Sequence, residues 1–241
     1  MNDFAPVSIL PFRSGRAEPM FALGIAERVR SDPACARMLS IPKNKDVYLS
    51  GDHAEDVYLV ERGQIKLQMI TFEGKCCVFD VHAEGDVFGE LSLLGSQMRL
   101  ETATAMRDSM VRKMPLRRLL NGSGIDGLMQ PLLGHLASRL RDQQLLIMNL
   151  VVDDSEKRLG KTLLYMARRH GIRNGCGTRL TVQLSHQDLS EMIGTTRPRV
   201  SEFMHKLREA ECVLTDADHR LIVDETKLDA YIMRTRGTKP S

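Results

Sequence analysis

The sequence lacks the features of a membrane or secreted protein. No run of about 18 apolar residues occurs, so no membrane-spanning helix is expected. The first 19 residues have no basic start followed by an apolar core, which argues against a signal peptide. The five cysteines are odd in number and irregularly spaced, so they do not form a secreted disulfide framework. We therefore expect a cytoplasmic protein with reduced thiols and no membrane partner.

Catalytic motifs are also missing. No Walker loop, nucleophile elbow, HExxH or paired-acid motif is present, so we expect no enzyme and no catalytic residues. The histidines show no metal-ligand spacing and no CxxC occurs, so no metal site is predicted. The composition, 42% apolar and 27% charged, is that of a globular protein. The net charge of +3 is compatible with nucleic acid but does not require it.

The segment 185–209 predicts two short helices joined at Gly194. Ser185 is a good N-cap for the first helix. The second carries Arg197 and Arg199 in its first turn, followed by apolar residues at helical spacing that would anchor it. Such a helix is what a helix-turn-helix needs to read a major groove, although an ordinary helix pair is the alternative. The predicted DNA-binding residues are Ser185, His186, Thr195, Thr196, Arg197, Arg199, Ser201 and Glu202.

Residues 41–120 show a different pattern, in which glycines separate short alternating runs at nearly even intervals. Ile65, Leu67 and Met69 alternate with polar neighbours, as in a half-buried strand. Residues Phe72–Gly74 predict a hairpin turn with glycine at a positive φ. Regularly spaced strands with turn signals favour a sandwich or barrel, whose closure removes exposed edges.

Residues 125–152 predict one long helix. Its leucines recur every three or four residues, close to a heptad seam. Pro131 and Gly134 weaken the early part, so the firm part is predicted to begin near His135. Such a stripe packs either on its own domain or on a second chain, and a helix that joins two domains favours the second chain. The predicted dimer-interface residues are Leu132, Leu136, Leu140, Gln143, Ile147 and Leu150.

The flanking segments complete the expected order of elements. Residues 1 to about 20 predict an irregular lead-in, and residues 20–40 predict one or two short helices. A new helical pattern begins at Glu156. After the helix-turn-helix, two short strands around Asp216–His219 predict the wing of a winged helix, and a short helix closes the chain over residues 226–233.

Four motifs in this order resemble the superfamily of the bacterial cyclic-AMP receptor protein and FNR. They are the glycine-punctuated strands with GD at 51, RG at 62 and GD at 85, the cassette FGELSLL at 88–94, EKRLGKTLLYMA at 156–167, and the helix-turn-helix. The resemblance implies an α+β fold with an N-terminal cyclic-nucleotide-binding-type β-roll (a jelly roll), a dimerisation helix and a C-terminal winged helix-turn-helix. It further implies a homodimer that binds a palindromic operator in double-stranded DNA and contacts RNA polymerase.

The resemblance also implies a division into domains. We expect an irregular extension over residues 1–20, a sensor β-roll over 21–124, a dimerisation helix over 125–153 and a DNA-binding domain over 154–241. In the family, the arginine matching Arg197 reads a guanine, and Thr196 would cap the helix and hold a phosphate. Pro198 and Glu202 depart from the receptor's pattern and Arg199 is extra, so a different operator preference is expected.

The expected effector pocket also departs from the family. In cyclic-AMP-binding members the cassette glutamate holds the ribose hydroxyl and a later arginine pairs with the phosphate, but here Glu101 occupies the arginine's place. A carboxylate repels a phosphate, so cyclic AMP is not the expected effector. Arg99 could replace the arginine only if the loop is rearranged. The residues assigned to the pocket are Gly89, Glu90, Leu91, Ser92, Arg99, Glu101, Thr102, Gln143 and Gln144.

Several alternatives stay open at this point. The effector could be a cyclic nucleotide or cyclic di-GMP, or there could be none, so no cofactor is assigned. Iron–sulfur sensing needs an N-terminal cysteine cluster, and only Cys35 precedes the roll. The adjacent Cys76 and Cys77 are either incidental or part of a redox or haem site with His82. A nucleotide-binding module without DNA-binding activity is the alternative class.

Overall fold

Two antiparallel sheets packed face to face form the N-terminal part of the molecule. The computed structural model describes residues 17–91, 98–115, 118 and 125–234. One sheet has the order β1-β8-β3-β6 and the other β2-β7-β4-β5, which confirms the predicted roll. The strands are β1 (Arg37–Ile41), β2 (Asp46–Tyr48), β3 (Asp56–Arg62), β4 (Gln64–Ile70), β5 (Cys76–Ala83), β6 (Val87–Phe88), β7 (Thr102–Ala105) and β8 (Ser109–Pro115).

The hairpin of β4 and β5 forms as predicted, with one difference. Gly74 has φ +77° and its amide donates to the Thr71 carbonyl at 2.9 Å, which makes the expected turn. Ile65 and Leu67 are buried between the sheets. The pairing shifts register after Leu67, so the alternation stops there and Met69 is exposed rather than buried.

The segment that precedes the roll differs from the prediction at both ends. Helix α1 (Ala17–Ser31) begins inside the segment predicted to be irregular, and a short 3₁₀ turn follows at Pro33–Cys35. Residues 37–40, the end of the segment expected to be helical, belong to β1 instead, because this strand pairs with β8 along its whole length. Tertiary pairing outweighs a weak local preference here.

The long helix α2 (Ile125–Val152) is continuous and runs through Pro131. Its bounds agree with the predicted helix over 125–152, and it begins ten residues before His135, where the firm part was predicted to start. Leu132 is 7% exposed and packs with Phe21 and Ile25 of α1, and this burial offsets the hydrogen bond that Pro131 removes.

The C-terminal part contains the predicted helix-turn-helix and wing. An additional hairpin of β9 and β10, which the sequence analysis missed, joins the wing in one sheet of order β11-β12-β10-β9. None of the helices in the described residues has the length and apolar character that crossing a membrane requires. The elements are α3 (Ser155–His170), β9 (Gly171–Asn174), β10 (Gly177–Leu180), α4 (His186–Ile193), α5 (Arg197–Glu209), β11 (Val213–Thr215), β12 (Leu221–Val223) and α6 (Glu225–Arg234).

Candidate functional site

Helices α4 and α5 form the predicted helix-turn-helix. The Ser185 hydroxyl accepts from the Asp188 amide at 3.1 Å, and the Asp188 carboxylate accepts from the Ser185 amide at 3.1 Å, which completes a capping box. Gly194 ends α4 with φ +65°, a left-handed conformation that glycine adopts without strain. The turn thus directs the chain immediately into α5.

One face of α5 is fixed to the core and the other is exposed. The anchoring side chains Val200, Phe203, Met204 and Leu207 are each 5% exposed or less. The first turn is exposed, and Pro198 stands there without loss because first-turn amides have no partner within the helix. The predicted residues Thr196, Arg197, Arg199, Ser201 and Glu202 are all exposed on this helix or its cap, and Thr195 is half-buried.

The exposed side chains differ in how far they are engaged. Arg197 forms no ion pair with any described residue, whereas the Arg199 guanidinium lies 5.6 Å from the Phe203 ring centre. The Glu202 carboxylate is paired with Lys206 at 3.0 Å. Thr196 stands at the N-cap, as predicted, but its side chain makes no capping hydrogen bond.

His186 is tied to α5 rather than free. Its Nδ1 lies 2.8 Å from the Ser201 hydroxyl. Partial burial lowers the pKa of His186, and the charges of Arg208 and Arg197 lower it further. The ring is therefore neutral near pH 7 and joins the start of α4 to the exposed face of α5.

The cassette residues of the expected effector pocket come together, but they are already engaged with one another. The Glu90 carboxylate is 1% exposed and lies 3.1 Å from Arg139 Nε and 3.5 Å from His135 Nε2. Burial would raise the pKa of Glu90, but Arg139 and His135 outweigh it and lower that pKa to about 2. Glu90 is therefore ionised, and its negative charge is balanced by Arg139 of α2.

Arg99 is not placed to bind a phosphate. It is 4% exposed and donates to the Gly89 carbonyl at 2.9 Å and to the Asp56 carbonyl at 2.5 Å. Its guanidinium also stacks 4.3 Å from the Tyr48 ring centre. With these contacts, Arg99 does not take the place of the missing arginine.

The rest of the predicted pocket is only partly assembled. Glu101 is buried and accepts a hydrogen bond from the Tyr48 hydroxyl at 2.9 Å, and Thr102 Oγ1 accepts from the Ser50 amide at 3.0 Å. A cavity of about 430 Å³ between the roll, α2 and α3 is lined by Leu91, Glu101 and Gln143 among others. Gln144 is exposed and does not line it, and Ser92 lies outside the described residues.

The sequence analysis missed three charged residues that line this cavity, which are Asp80, Arg139 and Arg169. Asp80 of β5 lies 2.6 Å from Arg139 Nη1 and 2.6 Å from Arg169 Nη1. Burial would raise the pKa of Asp80, but Arg169, His82 and Arg139 hold it well below its usual range. No local motif marks these residues, because each finds its partners on a different element.

The cysteine pair lacks the signs of a redox centre. Cys77 is exposed, whereas Cys76 is half-buried and its thiol lies 3.3 Å from Gln68 Oε1. Burial and Glu191 raise the pKa of Cys76 to about 11, and burial raises that of Cys77 too. Both thiols are therefore protonated near pH 7 and poor nucleophiles.

Comparison with known proteins gives the same two-part organisation. Residues 38–122 match the model of the cyclic nucleotide-binding domain, and residues 157–231 match that of the Crp-like helix-turn-helix domain. The global nitrogen regulator of Synechococcus elongatus is 31% identical over 177 residues, which cover 71% of this chain and 78% of that protein. The CRP-like cAMP-activated global transcriptional regulator of Mycobacterium tuberculosis is 25% identical, over 79% of this chain and 85% of the relative.

A solved structure agrees with the fold. FixK2 from Bradyrhizobium japonicum superposes with a TM-score of 0.72 at 23% identity, covering 81% of this chain and 96% of that one. At this level of identity the match supports the architecture of roll, long helix and helix-turn-helix alone.

Proposed function

Because the chain belongs to the CRP/FNR family of DNA-binding transcription regulators, which are not enzymes, we propose that it acts as a homodimer on a palindromic operator. Each protomer would place α5 in one major groove, with the half-sites roughly one helical turn apart. Contact with RNA polymerase, which the family resemblance implies, belongs to the same proposal.

The exposed first turn of α5 carries this proposal. By the family resemblance, Arg197 matches the arginine that reads a guanine. It lies on a helix held by buried side chains, and no described residue forms an ion pair with it. An arginine that is free of partners and fixed at its backbone can make a bidentate contact with guanine. Thr196, whose hydroxyl is not used for capping, is available to a phosphate.

In vitro selection of random duplex DNA by the full-length protein, followed by gel shifts at several salt concentrations, tests this function. We expect enrichment of a palindrome and an affinity that falls steeply with salt, because phosphate contacts release counterions. A flat salt dependence without any enriched sequence would favour the alternative of a module that does not bind DNA.

An exposed apolar seam on α2 supports the homodimer. Leu133, Leu140 and Ile147 recur at intervals of seven residues and are 58–61% exposed, and Leu150 is 44% exposed at the end of the helix. Three of the six residues predicted for the interface, Leu140, Ile147 and Leu150, lie exposed near this seam, whereas Leu132 and Leu136 pack on the chain's own core. The proposed interface therefore shifts to include Leu133, with Gln143 and Gln144 as polar residues beside it.

Leu140→Asp tests the seam. A charge at a heptad core position is incompatible with a buried helix pair, so we expect a monomer in analytical ultracentrifugation. Leu23→Asp is the matched control, since Leu23 is 55% exposed on α1 and outside the seam. A Leu140→Asp protein that sediments as the wild type would place the interface elsewhere.

We also propose that the sensor pocket does not take cyclic AMP in the family's manner. Glu90, the residue expected to hold the ribose, is neutralised by Arg139, and Arg99 is committed to two carbonyl groups. Glu101 places a carboxylate where a phosphate would bind. Binding would have to break these buried contacts and overcome like-charge repulsion.

Calorimetric titration with cyclic AMP, cyclic GMP and cyclic di-GMP tests the sensor. We expect no heat of binding for cyclic AMP. Heat with cyclic di-GMP would assign that effector, and no heat with any of the three would support a regulator independent of these ligands. Micromolar binding of cyclic AMP would overturn the proposal.

A further inference from the structure

The DNA-binding domain is joined to the roll by a buried contact at the end of α3. Arg169 Nη1 donates to Asp80 Oδ1 of β5 at 2.6 Å, and the His170 ring lies 3.0 Å from the Val81 carbonyl oxygen through Nε2. Val78 and Val81 of the same strand pack into the hydrophobic core of the DNA-binding domain. One roll strand therefore holds α3, the helix that precedes the helix-turn-helix.

Asp80 connects this contact to the effector pocket. Its second oxygen, Oδ2, accepts from Arg139 Nη1 at 2.6 Å, and Arg139 Nε lies 3.1 Å from Glu90 Oε1. The result is a chain of alternating charges, Glu90, Arg139, Asp80 and Arg169. Each of these side chains is 10% exposed or less. In such a dry environment charges interact strongly, so a change at one end alters the balance along the chain.

We propose that this chain of four charges is a relay that couples the Glu90 end of the sensor pocket to the placement of the DNA-binding domain. A ligand hydroxyl or cation that draws Glu90 away from Arg139 leaves Arg139 to Asp80 alone. Asp80 then interacts more strongly with Arg139 and less strongly with Arg169, so the contact between the roll and α3 weakens. The coupling to DNA rests on the proposed function, whereas the coupling between the domains does not.

A second ion pair between the two domains provides a control. Lys66 of β4 lies 3.3 Å from Asp188 and 3.4 Å from Glu191 of α4, and these side chains are similarly shielded. None of the contacts described for these three residues involves a member of the relay. Loss of Lys66 should loosen the domains without altering their response to Glu90.

The test measures the effect of Glu90→Gln in three backgrounds of the full-length protein. The backgrounds are wild type, Lys66→Gln, and the double variant Asp80→Asn/Arg169→Gln. The double variant removes one charge of each sign, so Arg139 and Glu90 stay paired and the fold is spared a lone buried charge. The readouts are affinity for a duplex selected by the wild-type protein, and amide hydrogen exchange of α3 and β5.

In wild type and in Lys66→Gln, we expect Glu90→Gln to change DNA affinity and exchange at the end of α3 by about fivefold or more. In the double variant we expect its effect to fall to about twofold or less, the level of independent sites. An effect of equal size in all three backgrounds, or none in wild type, would overturn the relay. If no duplex is selected, the proposed function fails while the exchange data still test the coupling.

Discussion

Arginines serve opposite purposes in the two halves of this chain. In the helix-turn-helix, Arg197 is exposed and has no ion-pair partner among the described residues. In and around the sensor pocket, Arg99 and Arg139 are buried, and carbonyl and carboxylate oxygens engage them. The first arrangement leaves a charge free for an outside partner, and the second holds elements of the chain together. A residue type therefore indicates a binding role only after its partners are known.

Among the changes considered, Arg139→Ala should have the largest effect on stability, because it removes a buried arginine from its ion pairs. It leaves Glu90 buried without its main partner and removes one of the two arginines that pair with Asp80. Removal of one member of a buried ion pair costs about 3–5 kcal/mol. Urea denaturation measures the loss. Glu209→Gln is the control, because its pair with His205 is exposed and contributes about 1 kcal/mol or less. Equal effects of the two changes would contradict the contrast.

Acid should weaken the same buried region. Burial lowers the pKa of His170 from 6.5 to about 4. The charge of Arg169 acts in the same direction, whereas the carboxylates of Asp86 and Asp80 act in the opposite direction. As the pH falls, His170 binds a proton in the unfolded chain before it does so in the folded chain. The free energy of unfolding therefore keeps the full contribution of neutral His170 above pH 6.5 and loses up to about 3 kcal/mol as the pH drops toward 4.

Urea titrations between pH 7 and pH 4.5 measure this dependence. The pKa of Glu90, lowered to about 2, contributes to acid instability only below about pH 4.5. The pKa of His186 is also lowered, so both histidines contribute between pH 6.5 and 4.5, and a variant is needed to isolate the share of His170. His170→Gln should flatten the profile. An unchanged slope in that variant would assign the acid sensitivity to other groups.

Arg197→Ala should sharpen the exposed side of the comparison. We expect the loss of about 1–3 kcal/mol of discrimination between the selected duplex and one with a changed guanine, because a bidentate contact disappears. Gel shifts with competitor DNA measure it, and the urea midpoint should not move. Arg173→Ala, a change of an exposed arginine on β9, should leave selectivity intact. Selectivity that survives Arg197→Ala would assign base reading to another residue.

The two helix caps provide the smallest contrast. Ser185→Ala removes a capping box, so a loss of about 1 kcal/mol in stability is expected. Thr196→Ala should cost less, because the Thr196 side chain makes no capping bond. Thermal or urea unfolding distinguishes the two. A larger loss for Thr196→Ala would mean that its hydroxyl caps α5 in solution.

Much of the fold could be predicted from local patterns. The capping box at Ser185, the turn at Gly74 and the helix over 125–152 each depend on neighbouring residues, and all three are present. The predictions failed where a distant segment decides. Residues 37–40 became part of a strand through pairing with β8, and Leu132 was buried by α1 rather than left for a partner.

The candidate site divides along the same line. The residues predicted to bind DNA lie at the start of α4 and on α5 with its preceding turn, all within residues 185–202, so their spacing in the sequence was enough to place them together. The sensor pocket draws on β5, the cassette and α2, and its key partners Asp80, Arg139 and Arg169 are 30 and more residues apart in the chain. A lone charged residue in a strand or helix does not indicate whether it is solvated or buried in a pair.

The sequence alone indicates the family, the order of roll, long helix and winged helix-turn-helix, and the position of Arg197, the arginine proposed to read a base. These features depend on periodicity, caps and turns, whose forces act over a few residues. Only the tertiary structure decided that Glu90 is neutralised from within the chain, that two of the six predicted seam residues are already covered, and that Asp80 pairs with arginines of both α2 and α3. Burial and charge pairing depend on which distant groups meet, and folding determines that.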